Sequence, residues 1–314
     1  MNYGINISLL TQFFIRLKYL NIFAVSNFRR FQIISLLTES KNIAIQGFNG
    51  SFHEEASRDF FHNEDINFIF CDTFEKVFKQ VRDNNKLGVV AIENSLAGSI
   101  LPNYGSIQKY NLHIIGETYK KIEQNLLVMP GVKIDDIKEI WSHPMALLQC
   151  QEFLNRHPNI KSVEKEDTAK SAFEIKKNNL KNTAAIASVT ASKLYGMKIL
   201  EKSIQSNKMN FTRFLILSNK KSQVDEPNKA TLCFSVKNTA GSLAKVLTVL
   251  AENKMNLSKI QSHPKLGKNW EYFFYVDLLF QNFNTYLTVI EQIKHYVTEL
   301  TILGAYKNSI TSEL

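Results

Sequence analysis

At 314 residues the chain can form about two domains of ordinary size, and its 44% hydrophobic and 21% charged residues are those of a soluble globular protein. The net charge of +9 is carried by scattered Lys and Arg without long blocks, and it suits nucleic acid or a small polyanionic substrate. Cys71, Cys150 and Cys233 lie far apart and the seven histidines lack metal-ligand spacing, so neither a disulfide framework nor a zinc site is expected; reduced thiols in a cytoplasmic protein are.

Residues 1–38 hold Arg16, Lys18, Arg29 and Arg30 but no Asp or Glu, and so carry four of the nine net charges. The remaining +5 comes with no basic–aromatic stripe, which ranks nucleic-acid binding last. Apolar runs such as Phe13-Phe14-Ile15 and Ile22 to Val25 are broken by charge before a membrane span of about 20 residues is reached, so no membrane segment is expected. A basic, acid-free amphipathic start fits a transit peptide. The reading adopted is a dispensable extension over 1–40, because the first interpretable strand begins at Asn42.

Ile43-Ala44-Ile45 reads as a strand, followed by Gly47-Phe48-Asn49-Gly50-Ser51. Ser51 with Glu54 three residues on reads as a capping box opening a helix. A helix N-terminus behind a glycine loop is a natural anion site, although such turns are often only structural. Leu87 to Ile92 is the next buried strand and runs into Glu93-Asn94-Ser95, a polar trio where open α/β sheets bind ligands. A plain N-cap by Asn94 or Ser95 explains the same residues equally well.

Leu112–Glu117 and Asn125–Met129 read as strands crossing into a second lobe. Ile137–Trp141 then leads to Ser142-His143-Pro144, with Pro144 suited to a first helical turn. Gln149 follows Ser142 by one to two turns, so both can border one cleft. His143 invites a general-base role, but a structural hydrogen bond is the preferred reading. Val163 to Ala169 is expected to open another helix with Glu164, Glu166 and Asp167 at its N-terminus, as the helix dipole favours. Thr183–Ser188 is a strand, and Lys198–Leu200 another.

Asn210-Phe211-Thr212-Arg213-Phe214-Leu215-Ile216-Leu217 begins polar and ends in four apolar residues, the pattern of a strand buried on both faces. Alternation puts Asn210, Thr212 and Phe214 on one face and Arg213 on the other. Both polar side chains serve one ligand only if the strand starts at a hinge or cleft edge; otherwise Arg213 pairs with a carboxylate. Residues 221–228 are a polar linker ending in a proline turn. Beyond it the pattern reads βαββαβ: strand 230–236, helix 242–253, strands 256–262 and 271–280, helix 284–297, strand 300–306.

Stretches in order resemble the motifs of the prephenate dehydratase family: Glu-Asn-Ser-x-x-Gly at 93–98, Ser-His-Pro with Gln149-Cys150 at 142–150, and Asn-x-Thr-Arg-Phe at 210–214; the resemblance also singles out Glu166, just before the Thr168 helix start. Met145 stands where the family has Gln. The C-terminal part resembles an ACT regulatory domain, with Gly241-Ser242-Leu243-Ala244 and Gln261-Ser262-His263-Pro264 in place of Gly-Ala-Leu-Val and Glu-Ser-Arg-Pro.

The resemblance covers about residues 42–310. It implies a two-lobed α/β catalytic domain over 41–220, periplasmic-binding-protein-like with a cleft between the lobes, then an α+β ACT domain over 229–310. The implied reaction is loss of water and carbon dioxide from prephenate to give phenylpyruvate, without metal or other cofactor. Thr212 is implied at the leaving hydroxyl, Arg213 at a substrate carboxylate, and Phe214 and Glu166 in the site. Asn94, Ser95, Ser142, Gln149, Gly50, Ser51 and Asn210 are implied to orient substrate. Phenylalanine is the implied effector, bound between ACT domains of a homodimer or homotetramer by Gly241, Ser242, Leu243 and Ala244 with Asn256, Leu257, Gln261, Ser262, His263 and Pro264. The alternatives are arogenate dehydratase and a non-catalytic amino-acid sensor; the intact Thr212-Arg213-Phe214 speaks against the second.

Overall fold

A computed structural model describes residues 40–309 apart from 223, 266 and 269. The extension expected over 1–40 lies, up to residue 39, outside the described residues. Ser40, Lys41 and Asn63–Asn67 fall in a small separate unit, in which the Asn67 amide donates to Ser40 Oγ at 2.6 Å. The rest of the described chain is one unit.

Its first lobe is a six-stranded sheet of β1 (Lys41–Gln46), β2 (Ile66–Cys71), β3 (Leu87–Asn94), β4 (Gly98–Ser99), β5 (His113–Lys121) and β11 (Phe211–Ser218). The order is β2-β1-β3-β11-β5, with β4 beside β3. The apolar run of β11 lies antiparallel between β3 and β5 and is buried on both faces, as its sequence requires. Because β11 follows the second lobe in sequence, the chain crosses between lobes twice; where it does, the Ile122 N–H donates to the Asn210 carbonyl at 2.8 Å. Ser51 caps α1 (Phe52–Phe60) and Thr73 caps α2 (Phe74–Asn84). Pro102 sits in the first turn of α3 (Leu101–Lys109), where its missing N–H costs nothing. The capping box is displaced by one residue: the Glu54 carboxylate accepts from the Gly50 N–H at 2.8 Å instead of from Ser51.

The second lobe is a five-stranded sheet in the order β10-β6-β9-β7-β8, built from β6 (Asn125–Val128), β7 (Glu139–Ser142), β8 (Lys161–Glu164), β9 (Thr183–Ala187) and β10 (Lys198–Glu201). Its helices are α4 (Pro144–Gln149), α5 (Gln151–Arg156), α6 (Thr168–Lys177) and α7 (Val189–Tyr195). The helix expected from Val163 starts later. Lys161–Glu164 is the edge strand β8, and Asp167, in extended backbone, accepts from the Lys170 N–H at 2.8 Å and so fixes the helix start at Thr168.

The C-terminal part is βαββαβ, as its spacing predicts: β12 (Lys229–Ser235), α8 (Ser242–Glu252), β13 (Asn256–Pro264), β14 (Tyr272–Leu279), α9 (Phe283–Ile293) and β15 (Glu299–Tyr306), paired antiparallel as β13-β14-β12-β15. Helices α8 and α9 bury Val246, Leu250, Val289 and Ile293 against one face of this sheet. The other face does not make a separate core. Cys233, Tyr275, Leu303 and Tyr306 pack into the same cluster as Phe78, Val81, Tyr104, Leu215 and Leu217 of the first lobe. Strand β15 approaches β5 so closely that a Cβ on Gly304 would collide with the Ile114 backbone.

Candidate active site

The site is built where β3 ends and β11 begins. Their antiparallel register sets Thr212 opposite Asn94 and Arg213 opposite Glu93. Successive residues of a strand face opposite ways, so the two pairs serve different sides of the sheet.

On the cleft side the hydrogen bonds have a determined direction. The backbone N–H groups of Leu96 and Ala97 donate to Asn94 Oδ1 at 3.0 and 2.9 Å. A backbone N–H only donates, so the atom facing it is the oxygen, and the Asn94 nitrogen faces β11. That Nδ2 donates to Thr212 Oγ1 at 3.0 Å and to Asn210 Oδ1 at 2.8 Å. The Asn210 nitrogen therefore donates to Gln149 Oε1 at 3.0 Å, which also accepts from Gln124 Nε2 at 3.2 Å. Two groups are left as donors for a ligand: the Thr212 hydroxyl proton and the Gln149 amide nitrogen. Asn94 caps a turn here, since the next helix starts only at Leu101. Ser95 ties the hinge, donating to the Met209 carbonyl at 2.9 Å and accepting from the Phe211 N–H at 3.0 Å.

Gly50 and Ser51 lie at the junction of the lobes. Ser188 Oγ donates to the Gly50 carbonyl at 2.7 Å and Tyr195 to the Asn49 carbonyl at 2.5 Å. Gly50 has φ +90°, and a Cβ there would press on Ala191, so glycine is required twice over. Beside this junction an open cavity of about 970 Å³ is lined by Phe52, Glu55, Thr118, Lys120, Val189, Thr190, Lys208 and Phe211, among others. Lys120 stands cross-strand from Thr212 and pairs with Asp59 at 2.9 Å and Glu55 at 3.4 Å. Four cations (Arg58, Lys120, Lys121, Lys208) meet three acids (Glu55, Asp59, Glu123) around this cavity, an environment suited to an anionic ligand.

The structure separates other expected residues from this cluster. The Arg213 guanidinium is buried on the opposite side of the sheet, where Nε donates to Glu117 at 2.7 Å, one terminal nitrogen to Asp277 and the other to the Tyr306 hydroxyl at 2.9 Å. Three of its five N–H groups are engaged there, and the guanidinium faces away from the Asn94–Thr212 pair and its ligand donors. This corrects the expectation for Arg213. Phe214 is core, its ring meeting His53 edge-on at 5.0 Å. Burial pushes His53 down to about 4, and the neutral ring accepts from the Ala91 N–H at 3.3 Å. Ser142 is fully buried and donates to the Ile186 carbonyl at 2.7 Å, an internal tie of the second sheet. Glu166 is exposed and pairs with Lys170 at 2.6 Å. Its neighbour Asp167 points inward beside Gly47, and burial raises its carboxyl above the usual range despite the backbone donors around it. His143 takes the structural role, Nδ1 accepting from the Met145 N–H at 3.2 Å.

Of the effector segment, Gly241 is the left-handed N-cap of α8 at φ +79°, with open space where a Cβ would stand. Ser242, Leu243 and Ala244 form the first turn behind it. Asn256, Leu257, Gln261, Ser262, His263 and Pro264 lie along β13, the edge strand of the sheet. Among the described residues no hydrogen bond joins the two segments. His263 and Pro264 border a cavity of about 500 Å³ that also touches Gln108 and Lys109 of α3.

Fold and site together define a two-lobed α/β domain with a ligand cleft and a ferredoxin-like module docked behind it. The chain belongs to the prephenate dehydratase family: the family model for prephenate dehydratase matches residues 43–222 and that for the ACT domain residues 231–282. It is 35% identical to the bifunctional chorismate mutase/prephenate dehydratase of Buchnera aphidicola, covering 84% of this chain and 70% of that one. It is 33% identical to arogenate dehydratase/prephenate dehydratase 6 of Arabidopsis thaliana, over 86% and 69%. Among solved structures, prephenate dehydratase in complex with L-Phe from Arthrobacter aurescens superposes with a TM-score of 0.77 at 27% identity, over 85% of this chain and 90% of that one. GqqA, described as a novel type of quorum quenching acylase, gives 0.77 at 28%, over 86% and 98%.

Proposed function

We propose that the chain converts prephenate to phenylpyruvate. The ring C–O bond breaks with its electron pair leaving on oxygen, which gains a proton and departs as water. The bond to the ring carboxylate breaks in the opposite sense, its electron pair staying with the ring as carbon dioxide leaves. Aromatisation drives both, so the protein must hold two carboxylates, donate to the departing hydroxyl and exclude solvent. The observation that carries the reading is the direction of the Asn94–Thr212 bond: Thr212 Oγ1 accepts from Asn94, so its proton points away from Asn94 and toward a leaving hydroxyl. Gln149 Nε2 binds a substrate oxygen, and the lysines of the cavity draw in the dianion. Gly50, Ser51, Asn210 and Ser95 hold the lobes and hinge, and Arg213, Phe214 and Ser142 support the strands from behind.

Arogenate is the second reading, favoured by the double name of the Arabidopsis relative. Turnover of both substrates by one preparation, read as phenylpyruvate and phenylalanine, separates them; conversion of neither overturns the assignment. Phenylalanine acts as inhibitor between the ACT domains of a homodimer or homotetramer, a reading supported by the L-Phe complex of the Arthrobacter relative and by the open edge of β13 with exposed Ile260. A cytoplasmic location is supported by three buried free cysteines. No described helix is long and apolar enough to cross a membrane.

A further inference from the structure

Behind the cleft, both motif strands are held by the ACT domain. Arg213, on β11, donates to Asp277 of β14, whose other oxygen accepts from Thr231 at 2.6 Å. Glu93, on β3, pairs with Lys259 of β13 at 2.7 Å, and Lys259 also donates to Ser99 at 2.5 Å. Glu117 closes the cluster between Arg213 and Lys229, 2.9 Å from the Lys229 ammonium. Three acids and three cations are thus matched among residues that are mostly buried. Each member of the Asn94–Thr212 pair is joined by one peptide bond to a residue gripped from the ACT side.

We propose that Asp277 and Lys259 are positioning residues for the dehydration, acting through Arg213 and Glu93 on the Thr212–Asn94 pair. This inference rests on the function proposed above. The cluster is more than glue between domains because of where it attaches. A catalytic donor must be held to within about half an ångström, and a strand end displaced by its Arg213 or Glu93 anchor carries Thr212 or Asn94 with it. The two anchors come from different strands, Asp277 from β14 and Lys259 from β13, so a slip of β13 against β14 moves Asn94 relative to Thr212. Lys259 shares one face of β13 with Gln261 and His263, two residues of the expected effector segment. A ligand that shifts this edge strand therefore reaches the catalytic pair through one ion pair.

The test uses the full-length protein with Asp277→Asn and Lys259→Gln, each alone and combined with Thr212→Ala, assayed for kcat and KM on prephenate with melting followed in parallel. The expected result is a drop in kcat of about 2- to 30-fold with KM within about twofold, and a changed response to phenylalanine. In the Thr212→Ala background the same substitutions should leave kcat unchanged, because the hydroxyl they position is gone. Where Asp277→Asn does not fold, Lys259→Gln carries the comparison, since its ammonium lies nearer the surface of the cluster. Wild-type activity with unaltered kcat in the folded variants overturns the inference, as does an equal loss with and without Thr212. A wild-type chain inactive on both prephenate and arogenate overturns the proposed function, and the inference with it.

Discussion

The Asn94 amide donates to the Thr212 hydroxyl at 3.0 Å, and the direction of that bond is set by two backbone N–H groups on the far side of Asn94. Thr212→Ala should lower kcat by roughly 10²- to 10⁴-fold with a smaller change in KM, the range for a positioned proton donor. Thr212→Ser keeps the hydroxyl and should retain most of the rate. Steady-state kinetics on prephenate check both; a near-normal kcat for the alanine variant would remove Thr212 from the mechanism.

Arg213 should behave as a stability residue. Arg213→Met leaves Glu117 and Asp277 buried beside one remaining cation, Lys229, at a cost of about 3–5 kcal/mol. Arg213→Lys keeps the charge but cannot reach three acceptors in three directions, so it should fall between the wild type and Met. Urea unfolding measures the loss, and KM for prephenate should stay close to wild type in whatever fraction is folded. A stable Arg213→Met variant with a large rise in KM would return Arg213 to the substrate.

Stability should fall on acidification through His53. Its folded value of about 4 lies below the ordinary value of 6.5, so the unfolded chain binds the proton more readily. The neutral ring's contribution is complete above about pH 6.5 and is lost as the pH falls toward 4, by at most about 3 kcal/mol. Urea midpoints at pH 7 and pH 4.5 should differ by more in wild type than in His53→Gln. Equal slopes in the two proteins would show that another group carries the acid sensitivity.

Two glycines should respond oppositely to alanine. Gly304→Ala forces β15 away from the Ile114 backbone and should cost about 1–3 kcal/mol by overpacking. Gly105→Ala, in α3 with open space around it, should stabilise by about 0.4–1 kcal/mol. Thermal melts of the two variants give the comparison directly.

The βαββαβ module was legible because its strands and helices carry clean periods, and its observed bounds differ from the expected ones by a few residues at most. The alternation of β11 placed Thr212 and Asn210 on one face and Arg213 on the other. What it could not supply was the occupant of the Arg213 side, because Asp277 lies 64 residues away on another domain. Glu166 and Asp167 are a similar case: both suit a helix N-terminus, and only the cap geometry shows that Asp167 turns inward while Glu166 meets Lys170 in solvent. β2, α2 and α3 went unread, and Val163 and Glu164 of β8 read as part of the helix that follows, because an exposed edge strand of four residues has too little apolar alternation to announce itself.

The route of the chain through β11 and β15 has a kinetic consequence. The first lobe is synthesised first, yet its sheet lacks the strand between β3 and β5 until residue 218 is made. Its core still lacks Leu303 and Tyr306 until the last strand arrives. Contacts of such long sequence separation are paid for late in folding, so the nascent first lobe must wait, with β3 and β5 unpaired between them, for almost the whole chain to leave the ribosome. A premature stop anywhere before β15 should therefore yield an aggregation-prone product in place of a smaller enzyme, and ribosome-bound chains of increasing length should gain protease resistance in the first lobe only near full length.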